Sequence, residues 1–159
     1  AGSSTNAQMI AEFSTNYGSN TDGFFCSYQD SIFGYSKDIM VGTKGNKGRN
    51  IVAFSKSILG DQQWKYICLV YDRSPDSPIS TRCKLYVNSV QQLASQAHSP
   101  NWRSDNTNNF GNNGLFVGAR YGGVAPFLGS VACCHVYRKA LSTKEMYTNY
   151  TAIKTRFGL

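Results

Sequence analysis

The sequence predicts an all-β fold: an antiparallel, jelly-roll-like β-sandwich closed by a short C-terminal helix. Three observations carry this. Short apolar runs alternate along most of the chain with clusters of Gly, Asn, Ser and Pro, the punctuation of strands joined by turns. Charged residues make up only 16% of the chain, well below the roughly 25% of an average domain, as expected where little helix surface must be solvated. Helical periodicity is absent until residue 142.

Taken in order, the strands are expected at 9–13, 23–28, 31–35, 39–42, 51–55, 64–71, 83–88, 115–119 and 130–137. At 159 residues, this is one domain in size, long enough to bury a core without help from disulfides or metal. The polar start "AGSSTNAQ", residues 1–8, is expected to be a flexible segment, with the sandwich domain spanning 9–159. It has neither a basic start nor a long apolar stretch, so no signal peptide is read in it.

In "WKYICLVYD", Ile67, Leu69 and Tyr71 point one way while Trp64, Tyr66, Cys68 and Val70 point the other. Both faces are apolar, so something is expected to cover the outer face: the helix, a long loop or a neighbouring subunit. In "LSTKEM", Ser142 stands as N-cap with Glu145 three residues on. This is a capping box, and Leu141 and Met146 are placed for a hydrophobic staple across it. Met146, Tyr150, Ile153 and Phe157 then recur on one helical face, as a core-packing stripe.

The net charge of +7 could suit a polyanion, but the basic residues are scattered. The densest group, Lys44, Lys47 and Arg49, lies in the glycine-rich "GTKGNKGRN". With no RNA-recognition or zinc-finger signature, nucleic acid is not the expected partner. No run of 18 apolar residues exists, so no membrane insertion is expected.

The strand "SVACCHVY" poses a question of chemistry. Five cysteines, Cys26, Cys68, Cys83, Cys133 and Cys134, all fall in expected strands. Adjacent Cys133 and Cys134 point to opposite faces of a strand, so they cannot serve one metal site. Cys133 and His135 share a face, but no third group orients the imidazole. All five are therefore expected to be small buried apolar residues of a chain folded in a reducing compartment.

The order "WKYICLVYD", "KLYVNS" and "GLFVGARYGGVAPFLGSVACCHVYRKALSTKEM" resembles the laminin-G-like, concanavalin A-type lectin/glucanase β-sandwich. The matching positions include Trp64, Tyr71, Asp72, Leu85, Asn88, Gly118, Ala119, Phe127, Gly129, Val131, Tyr137, Arg138, Leu141, Ser142 and Glu145. Ser89 departs from the Gly that the family prefers after "LYVN". The "NYTAIKTRFGL" ending is similar to that of domains appended to viral and phage structural proteins and to adhesins.

Hydrolases of this shape need paired carboxylates, commonly Glu-x-Asp-x-x-Glu on one strand. Here the two glutamates are Glu12, with no acid two residues away, and Glu145, engaged in the capping box. The histidines His98 and His135 are far apart, so no lyase constellation is evident either, and no enzyme is expected. A ligand site is expected on the long stretch "HSPNWRSDNTNNFGNNG", residues 98–114. Trp102 offers a stacking ring, Arg103 a charge, and Asp105, Asn108, Asn109, Asn112 and Asn113 polar groups for hydroxyls, with Arg120 and Tyr121 following the next strand. The alternative for this stretch is a structural loop whose Trp102 caps the core.

No cofactor is required; calcium is left open, since Asp72, Asp76 and Asp105 supply carboxylates at no spacing that demands the ion. The resemblance therefore implies a non-catalytic carbohydrate-binding, lectin-like module on a virion, phage particle or adhesin. Its partner would be a cell-surface or extracellular glycan. The alternative is a structural virion subunit, for decoration, cement or fibre, acting through contacts with neighbouring subunits or as a homo-oligomer. The setting is the virion or cell surface, or else extracellular.

Overall fold

The computed structural model describes residues 7–13, 23–29, 38–45, 48–56, 58–59, 61–71, 83–97 and 113–159. Among the described residues, nine strands form two antiparallel sheets and one long helix follows them. The strands are β1 (Ala7–Phe13), β2 (Gly23–Gln29), β3 (Asp38–Gly45), β4 (Gly48–Lys56), β5 (Ile67–Tyr71), β6 (Cys83–Val87), β7 (Val90–Gln92), β8 (Ala94–Ala97) and β9 (Leu115–Val117), and the helix is α1 (Thr143–Phe157). The larger sheet runs β8-β4-β3-β2-β1-β9 and the smaller β5-β6-β7.

Between the sheets, the large one contributes Cys26, Ile39, Val41 and Phe54 and the small one Cys83 and Leu85. Ile10, Ile67, Leu69, Tyr71 and Val87 close the margins of this core. The second face of the small sheet is buried too. Cys68, Val70 and Tyr86 pack there on Met146 of α1, with Tyr66 and Leu141 at the edge. The cover demanded by the two-sided pattern of β5 is thus the helix. Trp64 meets Phe157 and Tyr66 meets Tyr150 along the same stripe, with ring centroids 5.6 and 5.7 Å apart.

The capping box forms as expected: Glu145 N donates to Ser142 Oγ at 3.3 Å, and Ser142 N donates to Glu145 Oε2 at 2.9 Å. At the other end Gly158 adopts the left-handed conformation and returns its N–H to the Lys154 carbonyl.

On the second face of the large sheet, cross-strand register aligns Met9 with Ser27, Glu12 with Phe25, Ser27 with Met40 and Phe25 with Gly42. All of these residues are buried. A bulge between Met9 and Ala11 sets this pattern. Strict alternation would place Glu12 on the face of Ile10, which packs on the inter-sheet core. The extra residue turns Glu12 to the opposite face.

Several expectations need correction. No strand forms over 130–137, and Cys133 and Cys134 are exposed rather than buried. The alternating apolar pattern is there, but a strand exists only where its backbone finds a hydrogen-bonding neighbour, and no described strand pairs with this segment. Strand β1 starts at Ala7, two residues inside the segment expected to be flexible. Strands β7 and β8 were not expected, because "VQQ" and "ASQA" carry little apolar signal. The strand expected at 31–35 lies outside the described residues.

Candidate functional site

The described part of the candidate site is built where β9 pairs with β1 at the sheet edge. Register places Glu12 opposite Phe116, and Ala11 opposite Val117. Beyond β9 the chain leaves the edge and returns to it. Gly118 N donates to the Ile10 carbonyl, Met9 N to the Ala125 carbonyl, and Phe127 N to the Gly118 carbonyl, each at 2.8 to 2.9 Å. Residues 119–124 are therefore a loop whose base is fastened to β1. At its tip Gly123 N donates to the Arg120 carbonyl, with Gly122 and Gly123 both at positive φ.

This loop carries Arg120 and Tyr121 onto Glu12. Arg120 Nη2 donates to Glu12 Oε1 at 3.2 Å and Arg120 Nε to Glu12 Oε2 at 3.3 Å, a two-pronged contact, while Tyr121 N donates to the same Oε2 at 3.3 Å. The Glu12 side chain is buried, and Arg120 keeps 34% of its own exposed. Tyr121 is 60% exposed, and its ring meets the Phe116 ring edge-on at 5.6 Å. Phe116 also lies against Gly114, where an added Cβ would come within 3.1 Å of its ring. One ring therefore links the end of the Asn-rich stretch to the Tyr121 turn.

Of the residues expected to bind a ligand, Arg120 and Tyr121 are together in this loop, and Asn113 is half-buried just before β9. Trp102, Arg103, Asp105, Asn108, Asn109 and Asn112 lie outside the described residues, as do Asp72, Asp76 and His98. Sequence reasoning missed the parts played by Glu12 and Phe116. The signal for Glu12 was present, a carboxylate inside the apolar run "MIAEF".

Among the described residues no group of three or more His, Cys, Asp or Glu is placed to hold a metal ion. No described helix is long and apolar enough to cross a membrane. His135 packs edge-on against Tyr137, at 6.5 Å between centroids, and Tyr137 Oη accepts a hydrogen bond from Asn149 Nδ2.

No curated protein and no solved structure matches the chain. A laminin-G-type family model, described as the concanavalin A-like lectin/glucanases superfamily, matches residues 2–146. That match runs through both sheets, the Arg120 loop and the first turn of α1, and it agrees with an antiparallel sandwich closed by a helix. The chain belongs to the concanavalin A-like lectin/glucanases superfamily.

Proposed function

We propose that the domain is a non-catalytic carbohydrate-recognition module, displayed on a viral or phage particle or on an adhesin, that binds a surface glycan at the β9 edge. The observation that carries this reading is the exposed Tyr121, its ring braced by Phe116 and its backbone N–H sharing the Glu12 carboxylate with the Arg120 guanidinium. A rigid aromatic face presents apolar area at low entropic cost to the C–H face of a sugar, and guanidinium and amide groups satisfy its hydroxyls. The Asn-rich stretch with Trp102 precedes β9 in the sequence and carries further groups of this kind. Both glutamates have structural employment, Glu12 with Arg120 and Glu145 in the helix cap, which supports binding without hydrolysis.

A second reading, a structural subunit acting through protein contacts alone, draws on a different observation. Val124, Leu128, Val131 and Val136 are exposed along the chain between the Tyr121 loop and the helix. A glycan array probed with calcium, and again with a chelator, separates the two. The lectin reading expects selective binding that Tyr121→Ala and Trp102→Ala abolish while the fold persists. A blank array from folded protein removes that reading and leaves the subunit.

A further inference from the structure

Strand register gathers several segments at one end of the large sheet. Strands β3 and β4 close there as a hairpin, with Gly45 opposite Gly48, Lys44 opposite Arg49 and Thr43 opposite Asn50. Strand β1 ends and β2 begins beside the hairpin, through Phe13 opposite Phe24 and Gly23 opposite Lys44. Both ends of the Asn-rich stretch face the same way. Strand β8 runs from Ala94, opposite Phe54, to Ala97, opposite Val52, and so toward the hairpin, while β9 opens with Leu115 opposite Phe13. Residues 98–112, outside the described residues, thus connect the two edges of the six-stranded sheet from its hairpin end.

The charges brought to this end are unbalanced. Lys44 and Arg49 are direct cross-strand neighbours, so they stand on one face of the sheet, where such pairs hold their Cβ atoms about 5 Å apart. Like charges so placed repel each other, and an anion beside them is attracted to both. Their face is the one that carries Glu12: Phe25 pairs with both Glu12 and Gly42, and Lys44 follows Gly42 by two residues. The Glu12 carboxylate is itself occupied by Arg120. Segments 14–22, 43–50 and 98–112, which meet at this end, carry Lys44, Lys47, Arg49 and Arg103 against Asp22 and Asp105. An excess of cations therefore remains even with both acids paired. The same segments hold Tyr17, Trp102 and many Asn and Ser residues, groups that suit sugar rings and hydroxyls.

We propose that the glycan bound by this domain is acidic, and that its carboxylate or sulfate groups are held at the hairpin end of the large sheet, where the register sets Lys44 against Arg49. The inference rests on the sugar-binding reading and narrows it to a substrate class. A guanidinium matches a planar carboxylate or a sulfate edge with two donors, and the lysine opposite adds a point charge. Two fixed cations also draw a negatively charged chain to this end from a distance, an attraction that salt screens.

The test is an array that presents neutral glycans beside their sialylated, uronate-bearing and sulfated forms, with polyphosphate as a competitor. The expected result is binding to acidic forms at least about tenfold tighter than to their neutral parents, weakening as salt is raised. Hits among the sialylated and uronate-bearing forms assign a carboxylate, and hits among the sulfated forms a sulfate. Lys44→Gln combined with Arg49→Gln should lower the acidic signal at least about tenfold. Its urea midpoint should be no lower than that of the wild type, since two facing like charges are removed. Equal binding to neutral parents overturns the proposal and leaves the sugar-binding reading standing, whereas a blank array from folded protein removes that reading itself. Acidic binding that survives the double substitution, or that polyphosphate displaces as readily as free acidic glycan does, also overturns the proposal. If the double variant fails to fold, Lys44→Gln alone and the wild-type array decide.

Discussion

Arg120 reaches Glu12 across 108 residues of sequence and grips both carboxylate oxygens, at 3.2 and 3.3 Å, on the buried face of the large sheet. The bulge in β1 makes this contact necessary, because it turns a carboxylate that would otherwise enter the inter-sheet core toward the loop after β9. The same contact seats Tyr121, whose backbone N–H shares Glu12 Oε2. One ion pair therefore couples fold stability to the position of the candidate sugar platform.

Arg120→Ala is expected to destabilise the domain by about 3 kcal/mol, the lower end for breaking a buried pair, since the guanidinium is itself partly solvated. Glu12→Leu combined with Arg120→Met should recover most of the loss, because both charges then vanish together. Urea unfolding of the three proteins checks this. A double variant no more stable than Arg120→Ala would show that the pair does more than neutralise a buried charge.

The β6–β7 hairpin turns through Asn88 and Ser89, at φ 48° and 68°. Both are left-handed, as a two-residue type I′ turn requires. Asn88 is fixed there: its N–H donates to the Tyr66 carbonyl and its Oδ1 accepts from Tyr66 N, each at 2.9 Å. Ser89 has a Cβ in a region that disfavours one by roughly 1–2 kcal/mol. Glycine would remove that strain but lose about 0.4–1 kcal/mol to the freer unfolded chain. Ser89→Gly should therefore raise stability by about 0.5 to 1 kcal/mol, read as a higher urea midpoint with unchanged slope. A lowered midpoint would mean that the Ser89 side chain contributes more than its strain costs.

Glu145 is held well below the usual carboxylate range, at about 2 against an ordinary 4.5, chiefly by its hydrogen bond from Lys139 and then by the N–H and hydroxyl of Ser142. Because the folded value is depressed, its contribution is complete above about pH 4.5 and is lost as pH falls through about 2. Glutamine can still complete the capping box but cannot titrate. Glu145→Gln should be the less stable protein at pH 7 by a small margin, and the two urea midpoints should converge toward pH 2. Parallel curves over that range would place the pH dependence elsewhere.

What was legible in the sequence follows the range of the interaction concerned. The capping box is local, a matter of Ser142 and Glu145, and it formed as read. The two-sided pattern of "WKYICLVYD" was legible as a need for cover, and the 3.6-residue stripe of α1 named a candidate for that cover. The Glu12–Arg120 pair left no local trace beyond a carboxylate in an apolar strand, because its geometry depends on a one-residue bulge. Residues 130–137 show the converse: alternation gives a segment the capacity to be a strand, while a hydrogen-bonding neighbour decides whether it becomes one. Of the candidate site, Arg120 and Tyr121 are legible in the sequence only as residues that follow the strand after the Asn-rich stretch, and Phe116, whose ring touches both Gly114 and Tyr121, reads as an ordinary strand residue.

Met146 is the pin of the helix. It is fully buried against Cys68, Val70 and Tyr86, and it is the one residue of α1 buried to that degree. At 15 residues the helix is marginal by itself, so its order depends on this packing. Met146→Ala should cost about 2–4 kcal/mol, through lost transfer energy and the cavity left behind. The damage should begin at the helix. Trp64, already 44% exposed, has the Phe157 ring as its neighbour on α1, so its fluorescence should shift to the red before the inter-sheet core opens. In a Trp102→Phe background Trp64 is the sole tryptophan, and the urea transition of Met146→Ala followed by its emission should precede that followed by far-ultraviolet circular dichroism at β-sheet wavelengths. Coincident transitions would mean that helix and sandwich unfold as one unit, with Met146 stabilising both together.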